Sequence, residues 1–448
     1  MAKAQSDMTV GSPLKLILVF AFPILIGNIF QQLYNVVDTA VIGNVLGDDS
    51  LAAIGATSAI YSLIIGFANG ASNGFAVVLA RFFGRKAYED MSRTVCLTVV
   101  LTFGISLVLT VASLLGIRPL LEFLQTPPEI IDDAAQYLII ILSFSIITML
   151  YNMMAAMLRA IGNSTAPLVF LVAATIVNIG ADLAFVPVMG IAGAAYATVI
   201  AQAVSVVLCL VYIIKKCPLL HFKKKYLVWD RYLLSDLTST ALSMGLMYAI
   251  VSVGSVALQG AVNSFGSTTI AAHTAARKID DIFMLTLGTI SAASSTFASQ
   301  NYGAGKYDRV KKGIITSILI AFVWSAFSVI AVFLGCDFMV SALTGSTDRE
   351  LLETAALYIK INIPFFFMLS ILLVLRSSLQ GIGRKIVPLC ASGMELICKF
   401  TAVGFIAPAL GYFGVCIIEP IIWTVCMAMV GVDFLFFIRK TKELPQNG

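Results

Sequence analysis

The sequence predicts an all-α integral membrane protein: about twelve transmembrane helices in two six-helix bundles related by a parallel internal repeat. Three observations predict this. The 448 residues are 59% hydrophobic and only 12% charged, with a mean hydropathy of +0.96, a composition foreign to a soluble all-α protein. Apolar runs longer than the roughly 18 residues needed to cross a bilayer follow one another, broken by brief polar stretches. The second half of the chain also repeats the first.

The repeat is legible by hand. LRAIGNSTAPL, from Leu158 to Leu168, returns as LQGIGRKIVPL, from Leu379 to Leu389, at a shift of 221 residues. Pro187, Gly190 and Gly193 return at that shift as Pro408, Gly411 and Gly414. Earlier, Gly47, Ala52, Ala53, Gly84 and Tyr88 return as Gly266, Ala271, Ala272, Gly303 and Tyr307 at a shift of 219, so one short indel separates the blocks. Glycine and proline fix where a helix starts or turns, so matching positions mean matching helix ends. The expected organisation is an N-terminal bundle over 1–215, a linker over 216–232 and a C-terminal bundle over 233–448.

In chain order the first-half spans lie near 14–43, 51–80, 94–116, 134–158, 166–188 and 191–214. Those of the second lie near 234–262, 268–299, 313–335, 351–380, 386–410 and 414–438. In lipid only helix satisfies the backbone of such runs. Several are longer than a straight crossing needs, which predicts tilt, protrusion, or kinks at Pro23, Pro364 and Pro420. The first run is too long for a cleaved signal and is followed by further spans.

Lys and Arg are retained on the cytoplasmic side. The connections after spans two, four, six, eight and ten, with both ends, hold nearly all of them: Arg81, Arg85, Lys86 and Arg93, then Lys215, Lys216 and Lys223 to Lys225, then Lys306, Arg309, Lys311 and Lys312. The opposite connections hold Arg118 and Arg349 among Asp48, Asp49, Glu122, Glu129, Asp132, Asp133, Asp348 and Glu350. A multi-pass plasma membrane protein with both ends cytoplasmic is expected. Each half then starts on the same side, which makes the repeat parallel. The basic linker from Lys215 to Arg231 is accounted for as a topology signal, and the net charge of +5 points to no nucleic acid partner.

Enzyme chemistry finds no footing. The eight cysteines are scattered through apolar runs with no CxxC, His221 and His273 are far apart, and no phosphate-binding GxxxxGK[ST] loop occurs. No cofactor is expected, and any pumping must be driven by an ion gradient, H⁺ or Na⁺.

Charge inside the membrane is costly unless used or paired, so function is sought there. The first half has two such residues, Asp38 late in span one and Asp182 late in span five, at similar depth and without a basic partner in the spans of that half. A buried, unpaired carboxylate takes up a proton or, with further oxygen ligands, holds a small cation. Asn28, Gln31, Asn35 and Asp38 recur at spacings of three and four and line one helix face, as do Thr175, Asn178 and Asp182, with Thr198 and Gln202 on span six. A coupling-ion pocket inside the first bundle is expected; if the ion is Na⁺, Asp38 and Asp182 are its metal ligands. The second half has Ala257 and Val403 at the equivalent places and mixed charge elsewhere. Glu395 and Lys399, one turn apart, are expected to neutralise each other. Asp280 or Asp281 is expected to meet Lys360 across helices, as a structural pair or as a gate or relay.

The doubled six-span layout, the QQLYNVVDTAVIG run ending span one, the LRAIGNSTAPL start of span five and its NIGADLAF segment resemble multidrug and toxic compound extrusion (MATE) transporters, closest to the bacterial branch of the MepA type. The resemblance covers essentially the whole chain. It implies efflux of bulky, often cationic and amphipathic drugs or metabolites, in antiport with H⁺ or Na⁺, by alternating access between V-shaped outward and inward states. It also implies that Asp38, Asn178 and Asp182, with Thr198, bind the coupling ion, and that Gln31, Tyr34, Asn35 and Asn152 contact the drug. One departure is that span seven offers only Gln259 and Asn263 where some sodium-coupled members carry a glutamate, so a second ion site of that type is not expected. Small-molecule drugs and membrane lipids are the expected partners of a monomer. The alternative is a lipid-linked precursor flippase of the same architecture, which would want several Lys or Arg in its cavity; Arg277, Arg376 and Lys360 are the residues that speak for it.

Overall fold

The structure is a computed structural model that describes residues 6–442. The chain ends, which the charge pattern assigns to the cytoplasm, lie partly outside the described residues. Those described form helices and no strand. They are α1 (Pro13–Leu46), α2 (Asp48–Arg85), α3 (Tyr88–Phe123), α4 (Pro128–Ser143 and Ser145–Ala160), α5 (Thr165–Met189) and α6 (Ile191–Lys216). Then follow α7 (Arg231–Val262), α8 (Ser267–Gly303), α9 (Tyr307–Thr344) and α10, which runs from Arg349–Asn362 through the 3₁₀ turn Ile363–Phe365 into Phe366–Gly381. Ile386–Thr401 passes through a π-helical turn, Ala402–Ile406, into Ala407–Lys442, and Gly411 (φ 62°, ψ −148°) breaks that last helix. We call the part before Gly411 α11 and the part after it α12. With the 50° bend of α4 taken as one crossing, these are twelve apolar spans among the described residues.

Helices α1, α2 and α3 have 34, 38 and 36 residues, about 51 to 57 Å at 1.5 Å per residue, against roughly 30 Å of hydrocarbon. The surplus stands beyond the bilayer core. Large apolar side chains such as Leu115, Val188, Leu334 and Phe338 are largely exposed, as lipid-facing positions must be. Pro364 sits in the 3₁₀ turn of α10, whereas the bend in α4 falls at Phe144 and carries no proline.

The two halves turn alike. Gly190 (φ 62°, ψ −142°) ends α5 as Gly411 ends α11, with a backbone that only glycine adopts without strain. Three residues on, Gly193 and Gly414 let the chain close on itself: an added Cβ would lie 2.5 Å from the Phe185 carbonyl oxygen and 2.7 Å from that of Ile406. Gly162 and Gly383 (φ 82° and 89°) and Gly47 and Gly266 (φ 86° and 88°) match in the same way.

Compactness divides the chain at other places than the repeat does. One unit holds Phe22–Ala249 with the segment ending at Asp7, and the other holds Met8–Ala21 with the chain from Ile250 onward. The first unit takes in half of α7 because Gly70 and Gly74 of α2 have no side chain: a Cβ there would fall 2.4 Å from the Met244 carbonyl oxygen and 2.6 Å from Ala241 Cα. Leu233, Leu237 and Ala241 pack with Phe75, Val78 and Leu97, and Arg81 donates to Asp236 at 2.9 Å. The second unit takes in the start of α1 by hydrogen bonds: Met8 N–H donates to Gln300 Oε1 (2.9 Å), and Arg309 Nη1 donates to the Gly11 carbonyl (2.9 Å).

The apolar core of the first unit comes in layers. One cluster joins the end of α2, the start of α3 and the second limb of α4 with Ala166, Phe170, Cys209 and Ile213. Another joins Ile42, Ile60, Ile117, the first limb of α4, Val186 and Ile191. Between these ends, on the middle turns of α5 and α6, lie the polar residues singled out from the sequence.

Candidate functional site: a carboxylate pair inside the first unit

Asp38 on α1 and Asp182 on α5 are both buried, Asp182 completely, and their carboxyls stand beside each other. Neither Asp182 oxygen, nor Oδ1 of Asp38, nor either amide atom of the fully buried Asn178 has a hydrogen-bond partner among the described residues. Two adjacent buried carboxyls repel each other when both are charged, and a shared proton or a bound cation relieves that repulsion. No Lys or Arg pairs with either carboxylate among the described residues. Position follows from the helices: Asn178 and Asp182 are one turn apart on α5 and share a face.

Thr198, on α6, is joined to α1 by a 2.9 Å hydrogen bond between its hydroxyl and that of Tyr34. Gln31 and Asn35, on the same helix, are exposed, and Asn152 is half-buried on the second limb of α4. The structure therefore brings Asp38, Asn178, Asp182, Thr198 and Tyr34 into one buried group and leaves Gln31 and Asn35 outside it. Two other members of the polar stripes are satisfied by the protein. The Thr175 hydroxyl donates to the Leu171 carbonyl at 2.9 Å, and Thr148 donates to Gln202.

Tyr61 of α2 and Tyr137 of α4, which the sequence did not single out, complete the surroundings. Both interact electrostatically with Asp38, and Tyr137 with Asp182 and Tyr34 as well. The signal for Tyr137 was present: Tyr358 stands at the same place in the second half, at the shift of 221. α4 also runs to Ala160, taking in Arg159, whose Nη2 lies 3.5 Å from Asn73 Oδ1.

The second unit is organised by ion pairs. Lys399 Nζ is 3.1 Å from Glu395 and 3.2 Å from Glu419. Arg376 is 3.5 Å from Glu395, and Arg277 is 3.8 Å from both Glu419 and Asp281. The expected Glu395–Lys399 pair is present. The expected meeting of Asp280 or Asp281 with Lys360 is absent among the described residues. Asp281 turns to Arg277, one helical turn before it, and the completely buried Asp280 carboxyl has no hydrogen-bond partner among the described residues. A contact within the same helix needs no approach of α10, which is why it wins.

The MatE family model matches residues 23–183 and, over the second half, residues 244–402. This chain belongs to the MatE family. It is therefore a multi-pass membrane transporter and not an enzyme, and one matched segment falls in each half of the chain. Among relatives of this MatE chain, the probable multidrug resistance protein YpnP of Bacillus subtilis is 31% identical over 306 residues, 68% of each chain. The probable multidrug resistance protein YoeA of the same organism is 25% identical over 441 residues, 95% of this chain and 94% of the relative. A solved MOP superfamily transporter from Pyrococcus furiosus superposes with a TM-score of 0.90 over 99% of both chains at 21% identity, which is a likeness of fold.

Proposed function

We infer that this MatE transporter exports bulky cationic, amphipathic drugs or metabolites in antiport with H⁺ or Na⁺. The observation that carries the reading is the buried Asp38–Asp182 pair with no cation of its own. Asp38 and Asp182, with Asn178 and Thr198, bind the coupling ion; they are its metal ligands if that ion is Na⁺. Gln31, Tyr34, Asn35 and Asn152 contact substrate. Tyr34 links the two sets, because its hydroxyl holds Thr198. Entry of the ion removes the repulsion of the two carboxylates and so favours one conformation of the helix carrying Asp38; a ligand shifts such an equilibrium only by its differential affinity for the two states. Drug release then follows ion capture, and the carboxylates left vacant favour a cationic drug. The membrane is the plasma membrane, with both ends of the chain in the cytoplasm, and the working unit is the monomer.

The test is efflux of a fluorescent cationic dye from liposomes holding the purified protein, with a pH gradient or a sodium gradient imposed separately. Movement driven by one gradient names the coupling ion, and its absence with both gradients defeats the reading. Flipping of a lipid-linked precursor is disfavoured because Arg277 and Arg376, two of the three basic residues that speak for it, already face carboxylates, which leaves them poorly placed to hold a diphosphate.

A further inference from the structure

The repeat gives each position of the first unit's ion site a counterpart in the second, and backbone geometry fixes the register as firmly as sequence does. Gly162 and Gly190 bracket α5 as Gly383 and Gly411 bracket α11, with the same left-handed φ at each end and the same shift of 221. Within that frame Asn178 corresponds to Lys399, and on the next helix Thr198 corresponds to Glu419. Tyr137 corresponds to Tyr358. At the shift of 219, Tyr61 corresponds to Asp280, Asn35 to Gly254 and Asp38 to Ala257.

Three of these counterparts, Lys399, Glu419 and Gly254, meet in the second unit, where Glu395 joins them from a position whose counterpart is Ala174. Lys399 is 2% exposed, and its ammonium lies between Glu395 (3.1 Å) and Glu419 (3.2 Å), closer than the arginine that each also faces, Arg376 at 3.5 Å from Glu395 and Arg277 at 3.8 Å from Glu419. Gly254 of α7 makes room for it: a Cβ there would lie 2.7 Å from Lys399 Cδ, so a side chain like that of its counterpart Asn35 would displace the lysine stem. Tyr358 closes the group, its hydroxyl accepting from Arg277 Nη1 at 3.1 Å. The first unit thus presents buried carboxylates and an amide with no cation, and the second presents buried carboxylates around a cation joined to the chain. An ammonium is a monovalent cation with three N–H donors, and it alone bridges both carboxylates here, whereas Arg376 and Arg277 each face one.

We propose that the second unit contains a latent cation site, formed by Glu395 and Glu419, which Lys399 Nζ fills permanently in place of an exchangeable ion. The second unit is held in its cation-loaded state, and ion exchange is confined to the first. This rests on the reading of Asp38 and Asp182 as an ion site.

The test is thermal unfolding of the purified full-length protein against sodium, with choline keeping ionic strength constant, and against pH from about 5 to 8. The background is Asp38→Asn with Asp182→Asn, expected to show no ion response. Adding Lys399→Met empties the latent site, and Tm is expected to rise by about 5 °C or more with saturating Na⁺ or with falling pH. Adding Glu395→Gln and Glu419→Gln to that protein is expected to remove the rise, and Lys399→Arg, which keeps a tethered cation, is expected never to show it. A flat response after Lys399→Met overturns the proposal, and so does a Lys399→Met protein that cannot be recovered folded at any sodium concentration or pH. An ion response surviving in the background defeats the first-unit reading instead; the difference made by Lys399→Met still decides this one.

Discussion

Asp38, Asn178 and Asp182 share their stripes with Thr175 and Gln202, and what separates them is satisfaction of polar atoms. Thr175 gives its proton to its own helix and Gln202 accepts from Thr148, so both serve as interhelical and local glue. Both Asp182 oxygens, Oδ1 of Asp38 and the Asn178 amide lack any such partner among the described residues, and a buried polar group in that condition calls for an explanation, of which a bound ion is one. Asp38→Asn and Asp182→Asn are each expected to leave folding intact and to lower gradient-driven efflux by at least about tenfold, the scale of a typical coupling energy. Unchanged efflux in the double variant would show that the pair has no coupling role. Tyr34→Phe removes one hydrogen bond, to Thr198, worth about 1 kcal/mol. It is expected to shift the ion concentration for half-maximal transport by several-fold while the maximal rate changes less, which an ion titration of transport measures.

Among the elements, α5 and α11 are the informative pair. They start and stop at equivalent glycines, yet α5 is regular where α11 carries the π-helical turn Ala402–Ile406. Val403, the counterpart of Asp182, lies in that turn, so the two helices differ in winding at the place where they differ in chemistry. Their shared ends are sterically demanding. Gly193→Ala and Gly414→Ala each force a Cβ against a carbonyl oxygen and are expected to lower stability by about 1–3 kcal/mol. Gly104→Ala, in α3, meets nothing within 4 Å and is expected to be neutral or slightly stabilising. Thermal unfolding of the three variants side by side checks both statements, and an equal loss at Gly104 would show that the close approaches are not the cause. α4 makes the opposite point: its bend at Phe144 has no proline or glycine to announce it, and the packing of its two limbs into separate apolar clusters accompanies it.

For the whole molecule, charge and repetition predict the topology. A green fluorescent protein fused to the C-terminus is expected to fluoresce in cells, and alkaline phosphatase fused there to stay inactive, if that end is cytoplasmic; the reverse result would invert the orientation read from Arg81, Arg85, Lys215 and Lys223. The sequence by itself determined the all-helical membrane class, the doubling, nearly every span and the two acids of the first unit. Each of these follows from local quantities: hydropathy along the chain, glycine and proline at turns, and the cost of a charge in hydrocarbon. Tertiary structure alone decided who meets whom. It gathered Tyr61 and Tyr137 around Asp38, gave Asp281 to Arg277 in place of Lys360, and set Lys399 between Glu395 and Glu419. It also drew the first half of α7 onto α2 through Gly70 and Gly74. The spacing of residues along one helix fixes the face they share, but the neighbour across that face depends on how helices far apart in the chain pack, and no local pattern encodes that.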